Sequence, residues 1–309
     1  EISKLSREME IDIAINLGGY TQSSRTGVFA NLAAPVQVNF LGFPGTMGAK
    51  YIDYIVADHS LITSENENHF SEKIVYMPDS YQSNLSVREV SNQILSRQQL
   101  GIPEKGFVFS CFNSIHKITP QTFESWMRIM KSVDESVLWL YGNNEDATSN
   151  ISNIASKYGV DKNRIIYAKN LPVEEHLNRI SKAGLFLDTL PYNAHTTASD
   201  ALRMGLPVLT LIGNSFASRV AASLLNAVNM PELITTTREQ YESLAIELAL
   251  DSDKLAGIKN KLINNLPKTA LFNCQTFTKN LELAFDEMYQ KSQSELKPEH
   301  IVVRDLMDK

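Results

Sequence analysis

Two adjoining stretches decide how this chain is read: Leu185-Phe186-Leu187-Asp188-Thr189-Leu190, and Asn193-Ala194-His195-Thr196-Thr197-Ala198-Ser199-Asp200. The first is an apolar run that reads as a buried strand. The second is a turn of small and hydroxylated residues that opens a helical pattern over 196–204, ended by Gly205. A strand, a turn and a helix N-terminus in that order make an anion site. The first N–H groups of a helix have no partner within it. The helix dipole adds about half a positive charge at the same place. Phosphate oxygens suit both features. His195, Thr196 and Thr197 can add side-chain donors, and Asp200, one turn on, can accept from a ribose hydroxyl. The same residues also fit an ordinary threonine cap beside a hydrogen-bonded histidine, so the neighbouring segments must decide.

Outward from that stretch, strands and helices alternate. Strands are expected at 107–112, 137–141, 164–167, 185–189 and 208–212, with helical patterns at 120–133, 147–158, 173–183, 196–204 and 217–228. Short apolar strands separated by amphipathic helices predict a doubly wound parallel sheet. Right-handed crossovers then bring every strand's C-terminal end to one edge, where the chemistry belongs. A second set of strand candidates lies earlier, at 11–17, 36–41, 54–56 and 73–77. The polar stretch 83–105 reads as the connection between two α/β domains, with one helix around 87–95. The tail is helical at 238–250, 252–264 and 276–292, and the residues from Glu295 onward read as frayed. The resulting division is 1–100 for a first domain, 101–292 for a second and 293–309 for a tail.

Two more groups fall at the predicted C-terminal edge of the second domain. Asn113, Ser114 and Lys117 follow the strand at 107–112, and a lysine there can reach a phosphate as a point charge. An isolated lysine after a strand also fits a solvated turn. Leu171, His176 and Arg179 follow the strand at 164–167, with Pro172 and two glutamates suited to a helix start. His176 and Arg179 are one turn apart and can flank a planar base. Glu175 and Arg179 also form an i, i+4 pair of the kind found on exposed helices. Each group is weak alone, but strand ends in such a sheet lie side by side. Base, ribose and diphosphate of one nucleotide would then be shared among the three.

Composition narrows the alternatives. The chain has 309 residues, 43% hydrophobic and 21% charged, with a formal charge of −6. That balance suits a globular protein with a large core and argues against general affinity for nucleic acid or anionic membrane. Two widely spaced cysteines, Cys111 and Cys274, suggest no disulfide framework and a reducing, cytoplasmic setting. No spacing of His, Cys, Asp or Glu reads as a metal site. The Gly18-Gly19-Tyr20 turn lacks the GxGxxG dinucleotide fingerprint.

The ordered motifs resemble one family. Ala34-Pro35-Val36-Gln37-Val38, then Leu41-Gly42-Phe43-Pro44-Gly45-Thr46-Met47-Gly48-Ala49, are similar to a run shared by the O-GlcNAc transferase/SPINDLY proteins. So are Phe112-Asn113 with Lys117-Ile118, Glu174-Glu175-His176, His195-Thr196-Thr197 with Asp200, and the 217–223 segment Ala-Ser-Arg-Val-Ala-Ala-Ser. The resemblance runs from about Ile11 to about Leu283. It implies a GT-B glycosyltransferase in which two Rossmann-like domains face a cleft. The donor would be UDP-GlcNAc and the acceptor a protein Ser or Thr. Transfer would invert the anomeric centre without a metal or other cofactor. Members usually carry tetratricopeptide repeats ahead of the catalytic region, and some SPINDLY members use GDP-fucose instead.

Residue by residue, the resemblance implies that Lys117 contacts the diphosphate and supports catalysis. It places His176 beside the uracil with Arg179 nearby, His195, Thr196 and Thr197 at the phosphates, and Asp200 at the ribose. Ser114 and Leu171 complete the nucleotide set, while Pro44, Gly45 and Thr46 fall on the sugar or acceptor side. There are departures. Ser114 stands where animal members have Gln, His116 where they have Tyr, and Val173 where they have Lys. Asp12 falls on a histidine position and is the one candidate general base. The upstream part of the first domain is expected before Glu1, so that domain reads as partial. A nucleotide-sugar-binding module without transfer activity is the alternative of a different class.

Overall fold

The computed structural model describes residues 1–91, 95–142 and 144–304. Its strands are β1 (Ile13–Asn16), β2 (Val36–Asn39), β3 (Tyr54–Asp58), β4 (Lys73–Met77), β5 (Val108–Cys111), β6 (Val137–Tyr141), β7 (Ile165–Ala168), β8 (Leu185–Leu187), β9 (Val208–Leu211), β10 (Ile234–Thr235) and β11 (Ile301–Val302). The chain divides into two compact units. One comprises residues 1–84, 215–217 and 273–309, and the other residues 85–214 and 218–272.

The first unit is built on a parallel sheet in the order β1-β2-β3-β4-β11. Strands β2 and β3 are buried at every residue, which is why they read as continuous apolar runs. The helix Cys274–Gln293 covers this sheet, with Ala284 and Met288 in one cluster with Val36, Val38, Tyr54, Val75 and Met77. Phe277, Leu281 and Phe285 flank that contact. Positions 277, 281, 284, 285 and 288 form one helical stripe, and full burial of Met288 alone is worth about 1.5–3 kcal/mol. This helix therefore belongs to the first unit rather than to the second domain, where sequence placed it. The tail differs too. Ile301 and Val302 pair with Val75 and Tyr76 of β4, and His300 Nδ1 accepts from Ile74 N–H at 2.9 Å. What read as a frayed end is the edge strand of a sheet.

The second unit carries six parallel strands in the order β10-β9-β8-β5-β6-β7. The chain starts in the middle at β5, moves outward through β6 and β7, then returns to the other side of β5 as β8 and moves outward again. The order reverses between β5 and β8, and at such a switch point the loops after the two strands diverge and leave a crevice at their C-terminal ends. Local signals hold the loops in place. Thr119 caps the helix Pro120–Ser132, accepting from Thr122 N–H, with Pro120 in its first turn. Asn144 caps Glu145–Lys157 in the same way.

The boundary between units falls at 84/85 rather than 100/101. No helix forms over 87–91 or at 95, and the rest of that predicted helix lies outside the described residues. Residues 85–91 instead lie along the second unit as a strap. Asn178 Nδ2 donates to Ser91 O at 2.9 Å, Ser91 N–H to Glu174 O at 3.2 Å, and Arg203 to the carbonyls of Leu85 and Ser86. Among the described residues no helix is long and apolar enough to cross a membrane.

Candidate functional site

A cavity of about 460 Å³ opens at the C-terminal ends of four strands of the second unit. The loop after β5 supplies Phe112, Asn113, Ser114 and Lys117, and the end of β6 supplies Tyr141. The segment after β7 supplies Asn170, Leu171, Val173, His176 and Arg179, and the segment after β8 supplies Tyr192, His195, Thr196 and Thr197. The volume lies in the usual range for a small-molecule site. Eight predicted nucleotide contacts meet here: Ser114, Lys117, Leu171, His176, Arg179, His195, Thr196 and Thr197.

One end of the cavity is cationic and rich in donors. Lys117 Nζ donates to Asn193 O at 2.9 Å and lies 3.9 Å from the centroid of the Tyr192 ring. Burial pulls its pKa down to about 8, with the Asp188 charge opposing. A desolvated ammonium of this kind gains from an added anion. The helix Thr196–Arg203 starts beside it, its first N–H groups turned outward from the ladder. The two switch-point loops are tied together. Thr197 Oγ1 donates to Asn113 Oδ1, Asn113 Nδ2 donates to Thr189 Oγ1 at 2.8 Å, and Thr189 Oγ1 donates to Tyr192 O at 2.6 Å.

Asp188 anchors this arrangement, and sequence reading passed over it. Its Oδ1 accepts N–H bonds from Thr189 at 2.8 Å and Ala194 at 2.6 Å, and its Oδ2 accepts the Thr210 hydroxyl at 2.7 Å. The residue is buried, and burial pushes its pKa up to about 7 against those three hydrogen bonds. The signal was available: a lone carboxylate closing an apolar strand must have partners.

The other end suits a planar, neutral group. Arg179 is 2% exposed, donates from Nε to His176 Nδ1 at 2.9 Å and from its terminal nitrogen to Lys169 O at 2.5 Å. Its guanidinium lies 5.2 Å from the Phe112 ring centroid, and His176 meets the same ring edge-on. Arg179 is thus turned inward to hold His176; among the described residues it forms no ion pair with Glu175. Burial, then the charges of Arg179 and Arg88, holds the His176 pKa down to about 4. The imidazole is neutral at pH 7. Since Nδ1 accepts, its proton sits on Nε2, free to donate into the cavity.

Other candidates fall elsewhere. Asp200 does not line the cavity: its Oδ1 pairs with Arg88 at 2.5 Å. Asp12 is exposed and precedes β1, at the N-terminal end of a parallel sheet and away from the edge where loops gather. That position removes the reason for reading it as a general base. Pro44, Gly45 and Thr46 belong to the first unit. Their loop is organised on buried Glu72, which accepts the Thr46 hydroxyl at 2.5 Å and Met47 N–H at 2.6 Å.

Two parallel α/β units, one with a phosphate-suited crevice at its switch point, are the architecture of the GT-B glycosyltransferase fold. The chain belongs to glycosyl transferase family 41, whose model matches residues 3–86 and 83–281. It is 36% identical over 98% of its length to a probable UDP-N-acetylglucosamine–peptide N-acetylglucosaminyltransferase, SEC, of Arabidopsis thaliana, covering 32% of that protein. It is 31% identical over 94% of its length to a probable UDP-N-acetylglucosamine–peptide N-acetylglucosaminyltransferase, SPINDLY, of Petunia hybrida, covering 31% of that protein. The chain spans about a third of the length of these relatives. Among solved structures it is similar to a Lys-to-Met mutant of the Thermobaculum terrenum O-GlcNAc transferase, with a TM-score of 0.83 at 28% identity, covering 94% of this chain and 55% of that one. Anabaena HepE, solved with UDP and glucose, shares the fold at a TM-score of 0.64 and 12% identity, over 93% of this chain and 81% of that one.

Proposed function

We propose that this chain is catalytic-region sequence of a protein O-glycosyltransferase that moves GlcNAc from UDP-GlcNAc to Ser or Thr hydroxyls. The observation that carries this is the cavity itself. A cation and helix N–H groups stand at one end, and a neutral, Nε2-protonated His176 held by Arg179 stands at the other. That polarity matches a diphosphate joined to an uncharged pyrimidine. Membership of family 41 and the names of the relatives support the same donor.

In the reaction the acceptor oxygen attacks the anomeric carbon, the bond from that carbon to the β-phosphate oxygen breaks, and the configuration inverts. Charge grows on the leaving UDP as the bond breaks. Lys117 and the N–H groups at the start of Thr196–Arg203 face that charge and stabilise it without reorganising. In our reading they take the part a divalent ion plays in metal-dependent transferases. Most of the remaining acceleration comes from holding donor and acceptor together. The acceptor's proton is released to water as the new C–O bond forms, and UDP departs as the anion.

The test is transfer of labelled sugar from UDP-GlcNAc and from GDP-fucose, run on this chain and on any longer chain that carries it. Labelling of acceptor protein from UDP-GlcNAc is expected. Labelling from GDP-fucose alone would move the chain to the fucosyl branch. Nucleotide binding with no transfer by either preparation would make it a binding module.

A further inference from the structure

Tyr192 touches two of the side chains read as contacting the diphosphate, Lys117 and His195. Lys117 Nζ sits 3.9 Å from the ring centroid. The His195 imidazole stacks on the same ring, with centroids 4.9 Å apart and planes 24° apart. The ring lines the cavity, and its backbone is fixed: Tyr192 O accepts from Thr189 Oγ1 at 2.6 Å, and Asn193 Nδ2 donates to Thr189 O at 2.8 Å. A tyrosine held at its main chain, with two of the cavity's polar groups packed on its ring, does more than supply apolar wall.

Resting on the nucleoside-diphosphate reading of the cavity, we infer that Tyr192 is a positioning residue for the diphosphate, its ring fixing where the Lys117 ammonium and the His195 imidazole meet that group. The physical basis has two parts. The ring face carries negative quadrupole density, and its attraction for an ammonium grows as water is removed. Lys117 is half-buried, with one backbone carbonyl, Asn193 O, as its hydrogen-bond acceptor. The ring adds its own attraction to those of the Asn193 carbonyl and the Asp188 charge, and it is the one that faces the cavity. A lysine stem also has many rotamers, and a contact that selects one before binding lowers the ordering cost when ligand arrives. For His195 the stacked ring constrains the plane of the imidazole.

The inference separates Tyr192 from a cavity-wall residue by the ligand atoms it acts on. A wall residue would affect uridine and UDP alike, whereas a positioning residue for the diphosphate affects UDP alone. The experiment titrates UDP and uridine calorimetrically into wild type, Tyr192→Phe and Tyr192→Leu. Wild type binds UDP more tightly than uridine. Tyr192→Phe keeps the ring and most of that preference. Tyr192→Leu loses UDP affinity by about tenfold, as expected for a desolvated cation–ring contact, while uridine affinity stays the same. Equal losses for both ligands, or no loss for either, overturn the inference and leave the cavity reading intact. A wild type that binds UDP no better than uridine removes the diphosphate reading itself, and the role of Tyr192 with it. Where Tyr192→Leu does not fold, a series with progressively fluorinated phenylalanine at 192 preserves shape while draining the ring face. UDP affinity falling stepwise along that series supports the inference, and a flat series overturns it.

Discussion

Replacing Lys117 by alanine should weaken UDP binding about 10- to 150-fold, which is the loss of one hydrogen bond to a charged group at about 1.5–3 kcal/mol. The structure sets both the size and the pH dependence. The ammonium is half-buried against Tyr192, and burial holds its pKa down to about 8. An anion favours the charged form, so the bound pKa lies above the free one. The sign follows. Below pH 8 the free protein already carries the proton, and affinity is flat. Above it, the proton must be taken up on binding, and affinity falls by about tenfold per pH unit until the bound form also titrates. Calorimetry at pH 8.5 in two buffers of different ionisation enthalpy reads this directly, because proton uptake appears as a buffer-dependent heat. Wild type should show uptake of a fraction of a proton, and Lys117→Ala should show none from this group. UDP affinity that is unchanged in the mutant, or flat from pH 7 to 9.5 in wild type, would remove Lys117 from the phosphate site.

Three further outcomes are expected. Asp188→Ala strands two backbone N–H groups and the Thr210 hydroxyl in the core; at about 1–3 kcal/mol for each unsatisfied donor, urea unfolding should show a loss of at least about 3 kcal/mol, and a loss under 1 would refute the anchor. His176, with a folded pKa of about 4 against an ordinary 6.5, contributes stability that is full above pH 6.5 and lost as pH falls toward 4; His176→Gln should flatten that part of the stability–pH curve, and an unaltered curve would contradict the buried neutral imidazole. Sugar transfer from UDP-GlcNAc should continue in EDTA, because Lys117 and the helix N-terminus face the leaving diphosphate; activity abolished by EDTA and restored by Mg²⁺ or Mn²⁺ would overturn that assignment.

The second unit was readable because its strands are buried on both faces. Such strands show as apolar runs, and the βα order fixes which loops share an edge. That logic brought Lys117, His176 and the 195–197 turn to one cavity. It failed where periodicity names a buried face but not its partner. The stripe 277–288 says that Cys274–Gln293 covers something, yet only the folded chain shows it covering β2 and β4. Ile301–Val302 is two residues long, too short for any period to register. Asp200 illustrates a different limit. Its carboxylate was legible as polar and placed one turn into a helix, but its partner Arg88 lies 112 residues away in a strap with no pattern. Asp12 was read from its position in a motif. The predicted strand at 11–17 already put it at a strand's N-terminal end; its exposure was not visible in the sequence.

The most direct test of the nucleotide site is a crystal structure of this chain grown with UDP. The diphosphate is expected against Lys117 Nζ and the backbone N–H groups of Thr196 and Thr197, with the uracil beside His176 and a carbonyl oxygen within hydrogen-bond distance of Nε2. Electron density for UDP elsewhere on the chain, or in this cavity with the base against Lys117 and the phosphates against His176, would contradict the reading.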